Sequence, residues 1–348
     1  MSKTAIIFGV TGQDGSYLSE YLLGLDYRVV GVTRRCSVDN TINIKGVLSH
    51  PHFLLLEGDV ADYISVSGTF KQAKSFFGGV EPREVYNLAA QSHVGLSFSQ
   101  PVAAFRNNAE GPLNILTVIH TEGQPNCTRF YQASTSEMFG SNYVEAQGWG
   151  GPRKIQNEET PFTPNSPYAI AKVAAHHTVR MFREAYGMYA CAGILFNHES
   201  PRRGEKFVTR RIAKYVASLH ASCTLDFPSG LGKPFPKLKL GNLDAYRDWG
   251  YAPDYVRAMH MMLNREQPED FVIGTGETHT VRDFCAAAFS CVGISDWEQF
   301  VEVDQEYIRP LDVDYLCAST HKANTILGWE SQVTFNELVE IMVKAELR

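Results

Sequence analysis

An apolar strand that runs into a turn with glycine at every third position leaves a chain few folds to choose from. Thr4–Gly9 reads as such a strand and passes straight into Gly9-Val10-Thr11-Gly12-Gln13-Asp14-Gly15, with a helix expected from about Gly15 to Gly24. The first glycine allows the tight turn, the second lets backbone approach a pyrophosphate, and the third lets helix pack on strand. The helix then offers free N–H groups and a partial positive charge to the phosphates. Strand before and helix after is the context a dinucleotide site demands. Gly9, Thr11, Gly12, Gln13, Asp14 and Gly15 are therefore candidate cofactor contacts.

Further short apolar runs follow at Arg28–Thr33, Phe53–Glu57, Val85–Leu88, Phe130–Ser134 and Ala190–Leu195, with helical patterns near Ile64–Phe77, Val102–Thr121 and Tyr168–Tyr186. That alternation predicts an α/β fold: a Rossmann-type doubly wound parallel sheet with right-handed crossovers. After Asn197 the rhythm loosens into Pro- and Gly-rich loops (Pro228–Pro236) and mixed elements. Two units are expected: residues 1–195 as an NADP-binding domain, to which about 240–273 return, and 196–348 as a smaller mixed α/β substrate lobe. Ligands should lie in one cleft outside the carboxyl ends of the strands.

Strand two decides which dinucleotide. An NAD site usually places Asp or Glu at its end, whereas Arg34 and Arg35 stand here after Val29–Thr33. Two guanidinium groups suit the 2′-phosphate of NADP; two solvated surface arginines are the plain alternative. Asp59-Val60 ends strand three near the adenine, and the small residues of Leu88-Ala89-Ala90 permit close approach at strand four.

Tyr168 and Lys172 are four apart on a helix, hence on one face. A neighbouring ammonium favours the phenolate and should lower the tyrosine's pKa, making it a base near neutral pH. Thr135 at the end of strand five adds a hydroxyl. Glu137, two residues on, adds a carboxylate that a plain oxidoreductase does not need; it could remove a carbon-bound proton and protonate a leaving hydroxyl. A capping or loop carboxylate is the alternative.

Composition narrows the partners. A net charge of -6 argues against a nucleic-acid-binding face. The seven cysteines (Cys36, Cys127, Cys191, Cys223, Cys285, Cys291 and Cys317) are odd in number and contain no CxxC pair, so free thiols in a reducing cytosol and no metal site are expected. No apolar run approaches the ~20 residues of a membrane span. A cytoplasmic protein is expected.

Longer stretches carry a resemblance. Thr11–Leu18, Asn87-Leu88-Ala89-Ala90-Gln91-Ser92-His93-Val94, Ser134–Glu137, Phe196–Gly204, Gly241–Gly250, Gly274–His279 and Arg309-Pro310 are similar to the GDP-mannose 4,6-dehydratases, members of the extended short-chain dehydrogenase/reductase superfamily. The resemblance implies a hydro-lyase that takes a GDP-sugar, most simply GDP-D-mannose, to its 4-keto-6-deoxy product. Thr135 would bond the 4-hydroxyl, and Tyr168 would take its proton while hydride leaves C4 for NADP. Lys172 would hold the nicotinamide ribose. Glu137 would remove the C5 proton and help water leave from C6, and hydride would return to C6. Gln91, Ser92, His198 and Arg203 match cofactor contacts, and Asn197, Arg247 and Arg309 match pyrophosphate contacts of the nucleotide sugar. Family members form dimers or tetramers in which the Arg34–Ser37 loop meets a neighbour's cofactor, so a homodimer or homotetramer is expected.

Two departures stand out. Ala103 aligns with a tyrosine that usually lies beside the cofactor. The segment Ser141–Asn165, with Gly148-Trp149-Gly150-Gly151-Pro152, is longer than the family norm and could reshape the sugar pocket, which opens a GDP-heptose 4,6-dehydratase as a related reading; neutral surface variation is the other. An epimerase or reductase on the same scaffold is distinguished by Glu137. A non-catalytic nucleotide-binding protein is disfavoured by the intact Thr135/Glu137/Tyr168/Lys172 set.

Overall fold

The computed structural model describes residues 3–347 except 124, 149–150 and 225–234. Trp149, Gly150 and most of the Pro228–Pro236 loop singled out above lie outside the described residues, as does the side chain of Cys223. The first half runs β1 (Thr4–Phe8), α1 (Gln13–Gly24), β2 (Arg28–Thr33), β3 (Phe53–Glu57), α2 (Tyr63–Phe76) and β4 (Glu84–Asn87). Then come α3 (Val94–Ser99), α4 (Pro101–Phe105), α5 (Gly111–Thr121), β5 (Arg129–Thr135), the hairpin strands β6 (Val144–Gly148) and β7 (Gly151–Ile155), α6 (Pro167–Tyr186) and β8 (Ala190–Leu195). The remainder holds β9 (Asn197–Glu199), α7 (Val208–Thr224), β10 (Leu238–Leu240), β11 (Tyr246–Arg247), β12 (Trp249–Tyr251), α8 (Ala252–Leu263), β13 (Phe271–Ile273), β14 (His279–Thr280), α9 (Val281–Ser290), β15 (Val301–Val303) and α10 (Phe335–Glu346).

Seven strands form one parallel sheet in the order β13-β8-β5-β4-β1-β2-β3. β1, β4 and β8 are buried along their whole length and β5 along most of it, as a sheet covered by helices on both faces requires. The order reverses between β1 and β4, so a crevice opens there above the strand ends. A second apolar core, built around Trp249, Phe284, Phe289 and Leu338, joins α7, α9 and α10 beside the sheet.

Local chemistry sets the helix ends. Asp62 caps α2, Ser166 caps α6 with Pro167 in its first turn, and Gly187 closes α6 at φ +63°. Capping boxes open α9 (Thr280, Asp283) and α10 (Thr334, Glu337). The helix expected over Val102–Thr121 is interrupted. A π turn at Arg106–Glu110 separates α4 from α5, immediately before Pro112, which has no N–H for the helical ladder. Strand one stops at Phe8, one residue short of expectation, because Gly9 turns away at φ +83°.

Candidate active site

A cleft of about 1510 Å³ lies over the carboxyl ends of the strands and reaches from the glycine turn to Arg309. It is larger than an ordinary small-molecule pocket of roughly 300–1,000 Å³, with room for a dinucleotide and a second nucleotide end to end. Its floor is built by close approach. A Cβ on Gly9 would stand 2.8 Å from the Ala89 nitrogen, and one on Gly15 would stand 2.4 Å from the Gly9 oxygen. Both positions therefore exclude any side chain. α1 opens at Gly12 with no side-chain cap, so its first N–H groups stay free for an anion. These features fit a dinucleotide pyrophosphate.

Gly9, Thr11, Gly12, Gln13, Asp14, Gly15, Arg34, Asp59, Val60, Leu88, Ala89, Ala90, Gln91 and Ser92 all line this end. Arg35 does not; it is exposed beside the rim, while Arg34 and Cys36 border the cleft. Gln13 and Asp14 turn out to be braced as well as exposed to the cleft. Gln13 Nε2 donates to Asp14 Oδ1 (3.0 Å) and the His198 carbonyl (3.1 Å), and Ser200 Oγ donates to Gln13 Oε1 (2.9 Å). Asp14 Oδ2 lies 2.8 Å from His198 Nε2. Burial disfavours the charged His198 ring, yet the Asp14 carboxylate outweighs it and His198 is a stronger base than free imidazole. Burial likewise works to raise Asp14, but His198 wins and holds its carboxyl below the usual range. This pair ties the glycine turn to β9. Arg203, also on the cleft, pairs with Glu199 at 3.0 Å and stacks over Phe207.

The other half of the cleft gathers Thr135, Glu137, Tyr168, Lys172, Asn197, Arg247 and Arg309. Thr135 ends β5, and its Oγ1 accepts from the Glu137 N–H at 3.3 Å. That bond curls the Ser136–Phe139 turn and presents Glu137. Gly140 follows at φ +57°, where a Cβ would overlap the Thr163 oxygen. Tyr168 sits in the first turn of α6, its N–H donating to Ser97 Oγ at 3.2 Å. Lys172 Nζ donates to the Ala133 carbonyl at 2.8 Å and stands 5.8 Å from the centre of the Tyr168 ring.

The expected lowering of the Tyr168 pKa is not found in the ligand-free protein. Burial pushes the phenol well above its ordinary value, with the Thr135 hydroxyl opposing and the Glu137 carboxylate adding to the rise. The Lys172 ammonium is spent on Ala133, and burial has brought Lys172 itself down to about 8, with Asp14 opposing. Desolvation of both groups outweighs their mutual effect.

Charge is concentrated at the far end. Arg309 Nη1 lies 3.3 Å from Glu137 Oε1 and 3.3 Å from Asp312 Oδ1, and Arg247 Nη2 lies 3.2 Å from the same Asp312 oxygen. Burial lowers the pKa of Arg247, with Glu137 opposing. Asn197 Oδ1 is buried without a hydrogen-bond partner.

Two cleft residues escaped the sequence reading. Asp312 stands in a stretch with no periodic or motif signal. His93 sits inside a quoted motif but was given no role; its Nδ1 accepts from the Leu96 N–H (3.0 Å), and burial, then Arg309 and Lys206, keep it less basic than usual. Ala103 lines the cleft, as its alignment beside the cofactor suggested. For Ser141–Asn165 the described residues agree with surface variation rather than with a reshaped sugar pocket. Among the described residues none of that segment lines the cleft. It forms the β6–β7 hairpin, and Arg153 anchors it to the Gly276 carbonyl (2.7 Å) while Gln156 bonds the Cys317 N–H (2.8 Å). Among the described residues no group of His, Cys, Asp and Glu could hold a metal ion, and no helix is long and apolar enough to cross a membrane.

The sequence profile of the GDP-mannose 4,6 dehydratase family matches residues 6–342. A GDP-mannose 4,6 dehydratase of Drosophila melanogaster is 46% identical over 99% of this chain and 86% of its own length. GDP-mannose 4,6 dehydratase 2 of Arabidopsis thaliana is 44% identical over 99% and 87%. In fold, the chain is similar to the dTDP-glucose 4,6-dehydratase of Bacillus anthracis in complex with NAD, with a TM-score of 0.80 and 19% identity over 99% of this chain and 96% of that one.

Proposed function

The chain belongs to the GDP-mannose 4,6 dehydratase family, and from that membership and the cleft we propose that it is a nicotinamide-dependent hydro-lyase converting GDP-D-mannose to GDP-4-keto-6-deoxy-D-mannose. The supporting observation is the convergence of Thr135, Glu137, Tyr168 and Lys172 on one cleft with the glycine turn. When bound, oxidised nicotinamide supplies a hydride acceptor and a fixed positive charge. Thr135 Oγ1 orients the sugar's 4-hydroxyl and Tyr168 Oη receives its proton; a cation beside a buried phenol offsets the burial that disfavours its ionised form. Lys172 holds the nicotinamide ribose. The resulting 4-ketone acidifies C5, Glu137 takes that proton, and its carboxyl group returns one to the departing 6-hydroxyl; the hydride removed from C4 then returns to C6, and the proton held on Tyr168 completes C5, so the net change is the 4-keto-6-deoxy sugar and one water. Asn197, Arg247 and Arg309 bind the diphosphate.

Our reading of the cofactor is NADP, supported by Arg34 on the cleft and by the lack of an acidic residue at the end of β2. Gly9 to Gly15, Asp59, Val60, Leu88 to Ser92, His198 and Arg203 form its site, His198 chiefly by bracing Asp14. We assign 1–195 and the returning segment near 240–273 to the cofactor, and the rest of 196–348 to the sugar nucleotide. The six described cysteines are free thiols, consistent with the cytoplasm. A homodimer is favoured by exposed Val102, Phe105 and Leu113 on α4 and α5 and by Ile170 and Met181 on neighbouring α6. The heptose reading drew on the long loop, whose described residues keep off the cleft.

The test is incubation of NADP-loaded protein with GDP-mannose and with a GDP-heptose, followed by mass spectrometry. Loss of one water from the mannose nucleotide is expected. Glu137→Gln should cut that loss by about 10²–10⁴-fold while transient reduction of the cofactor, read by absorbance, survives. Full dehydration by Glu137→Gln would remove its role as the C5 base.

A further inference from the structure

Glu137 is not free in the cleft. Its carboxylate shares one guanidinium nitrogen, Arg309 Nη1, with Asp312, and Asp312 also accepts from buried Arg247. Two guanidinium groups thus face two carboxylates, and the cluster is neutral. Both Arg309 contacts are 3.3 Å, longer than the roughly 2.7–2.9 Å of a well-made charge-assisted bond. A single nitrogen divided between two carboxylates holds neither firmly. Arg309 is also partly exposed to the cleft, so its remaining N–H groups can reach an incoming ligand. A diphosphate arriving here brings further negative charge against Glu137 and Asp312 unless the arginines turn toward it.

We propose that Arg309 is a shared cation, held by Glu137 until the nucleotide's diphosphate draws it off, so that substrate binding frees the carboxylate that must take the C5 proton. The inference rests on the reading of Arg247 and Arg309 as diphosphate ligands. Asp312 serves as the positioning residue: it tethers Arg309 beside Arg247 in either state. A carboxylate no longer paired with a guanidinium is free to turn to C5, and it becomes so only when substrate is present. The other groups facing Glu137 are Tyr168 from α6 and Arg247 from β11. Among the described residues neither hydrogen-bonds to it, which leaves Arg309 as the exchangeable partner.

Competition of this kind has a thermodynamic signature that needs no turnover. GDP is titrated calorimetrically into NADP-loaded wild type, Glu137→Gln, Arg309→Gln and the double variant. Removing the Glu137 charge releases Arg309 in advance, so Glu137→Gln should bind GDP about fivefold or more tightly than wild type, the scale of one direct coupling. That gain should vanish in the Arg309→Gln background, and Arg309→Lys should restore part of it. An unchanged GDP affinity in Glu137→Gln, or the same gain without Arg309, would overturn the sharing while leaving the dehydratase reading intact, provided Arg309→Gln alone weakens GDP. If Arg309→Gln binds GDP as well as wild type, the diphosphate lies elsewhere and the arginine assignment falls with the inference. A site-wide packing defect would weaken GDP in every variant and also overturn it.

Discussion

At the scale of single residues the active site is bought with stability. Lys172 is fully enclosed, and burial brings its pKa from 10.5 to about 8. Below about pH 8 the folded protein carries that ammonium charged at a cost which the unfolded chain does not bear. Between about 8 and 10.5 the folded protein has shed the proton while the unfolded chain keeps it, so this contribution to stability rises with pH through that window. Replacing Lys172 by Met removes the cost. The Ala133 carbonyl keeps its bond from Gln132 Nε2 (2.8 Å), so no buried acceptor is orphaned. Urea unfolding of cofactor-free protein should show Lys172→Met more stable than wild type by about 1–3 kcal/mol at pH 7, with the gap narrowing by pH 10 and turnover lost. A variant less stable at pH 7 would mean that the lysine's packing and hydrogen bond outweigh its desolvation.

Elements tell a different story from residues. The β6–β7 hairpin interrupts the chain between Glu137 and Tyr168, yet it is fastened to the Gly276 and Cys317 loops on the outside of the cleft. Replacing 144–153 with a short turn should leave KM for GDP-mannose within about threefold, while the loss of Arg153's bond lowers stability by about 1 kcal/mol; steady-state kinetics and thermal melting check the two parts separately. A large rise in KM would put the hairpin back at the sugar. The outcome bears on what a sequence discloses. Six of the seven parallel strands were legible as short, largely apolar runs, while β13, only three residues long, was not; the glycine turn was legible because backbone contacts at Gly9 and Gly15 admit no side chain. Tyr168 and Lys172 were legible as a helical pair. Asp312 was not, because its role comes from Arg247, 65 residues away in the chain, folding onto it beside its near neighbour Arg309. The pKa of Tyr168 was misjudged for a related reason: spacing reveals a neighbouring ammonium, but the desolvation that overrides it exists only once the sheet and α3 pack against the first turn of α6.

For the whole molecule, α6 is the element on which chemistry and assembly meet. Its inner face buries Tyr168, Lys172, Ala175 and Val179 against the sheet, while Ile170 and Met181 look outward. α4 and α5, which pack beside it, add exposed Val102, Phe105 and Leu113. These exposed apolar side chains lie on three neighbouring helices, and apolar surface gathered on one face is costly to leave in water. In the homodimer proposed above, a second copy would supply its match by twofold symmetry, the same face meeting itself across the axis. Such a dimer would clamp α6 from the side opposite the sheet, and with it the first turn that carries Tyr168. Light scattering should therefore find a mass of at least twice 38.8 kDa for wild type. The double substitution Ile170→Glu, Met181→Glu should yield monomer, because two carboxylates per copy would be buried unpaired across the axis. Turnover should fall by about tenfold or more in the monomer even though neither residue lines the cleft, since a 1 Å displacement of a catalytic group is costly. Monomer with undiminished turnover would separate assembly from catalysis, and an unchanged mass would move the interface off this face.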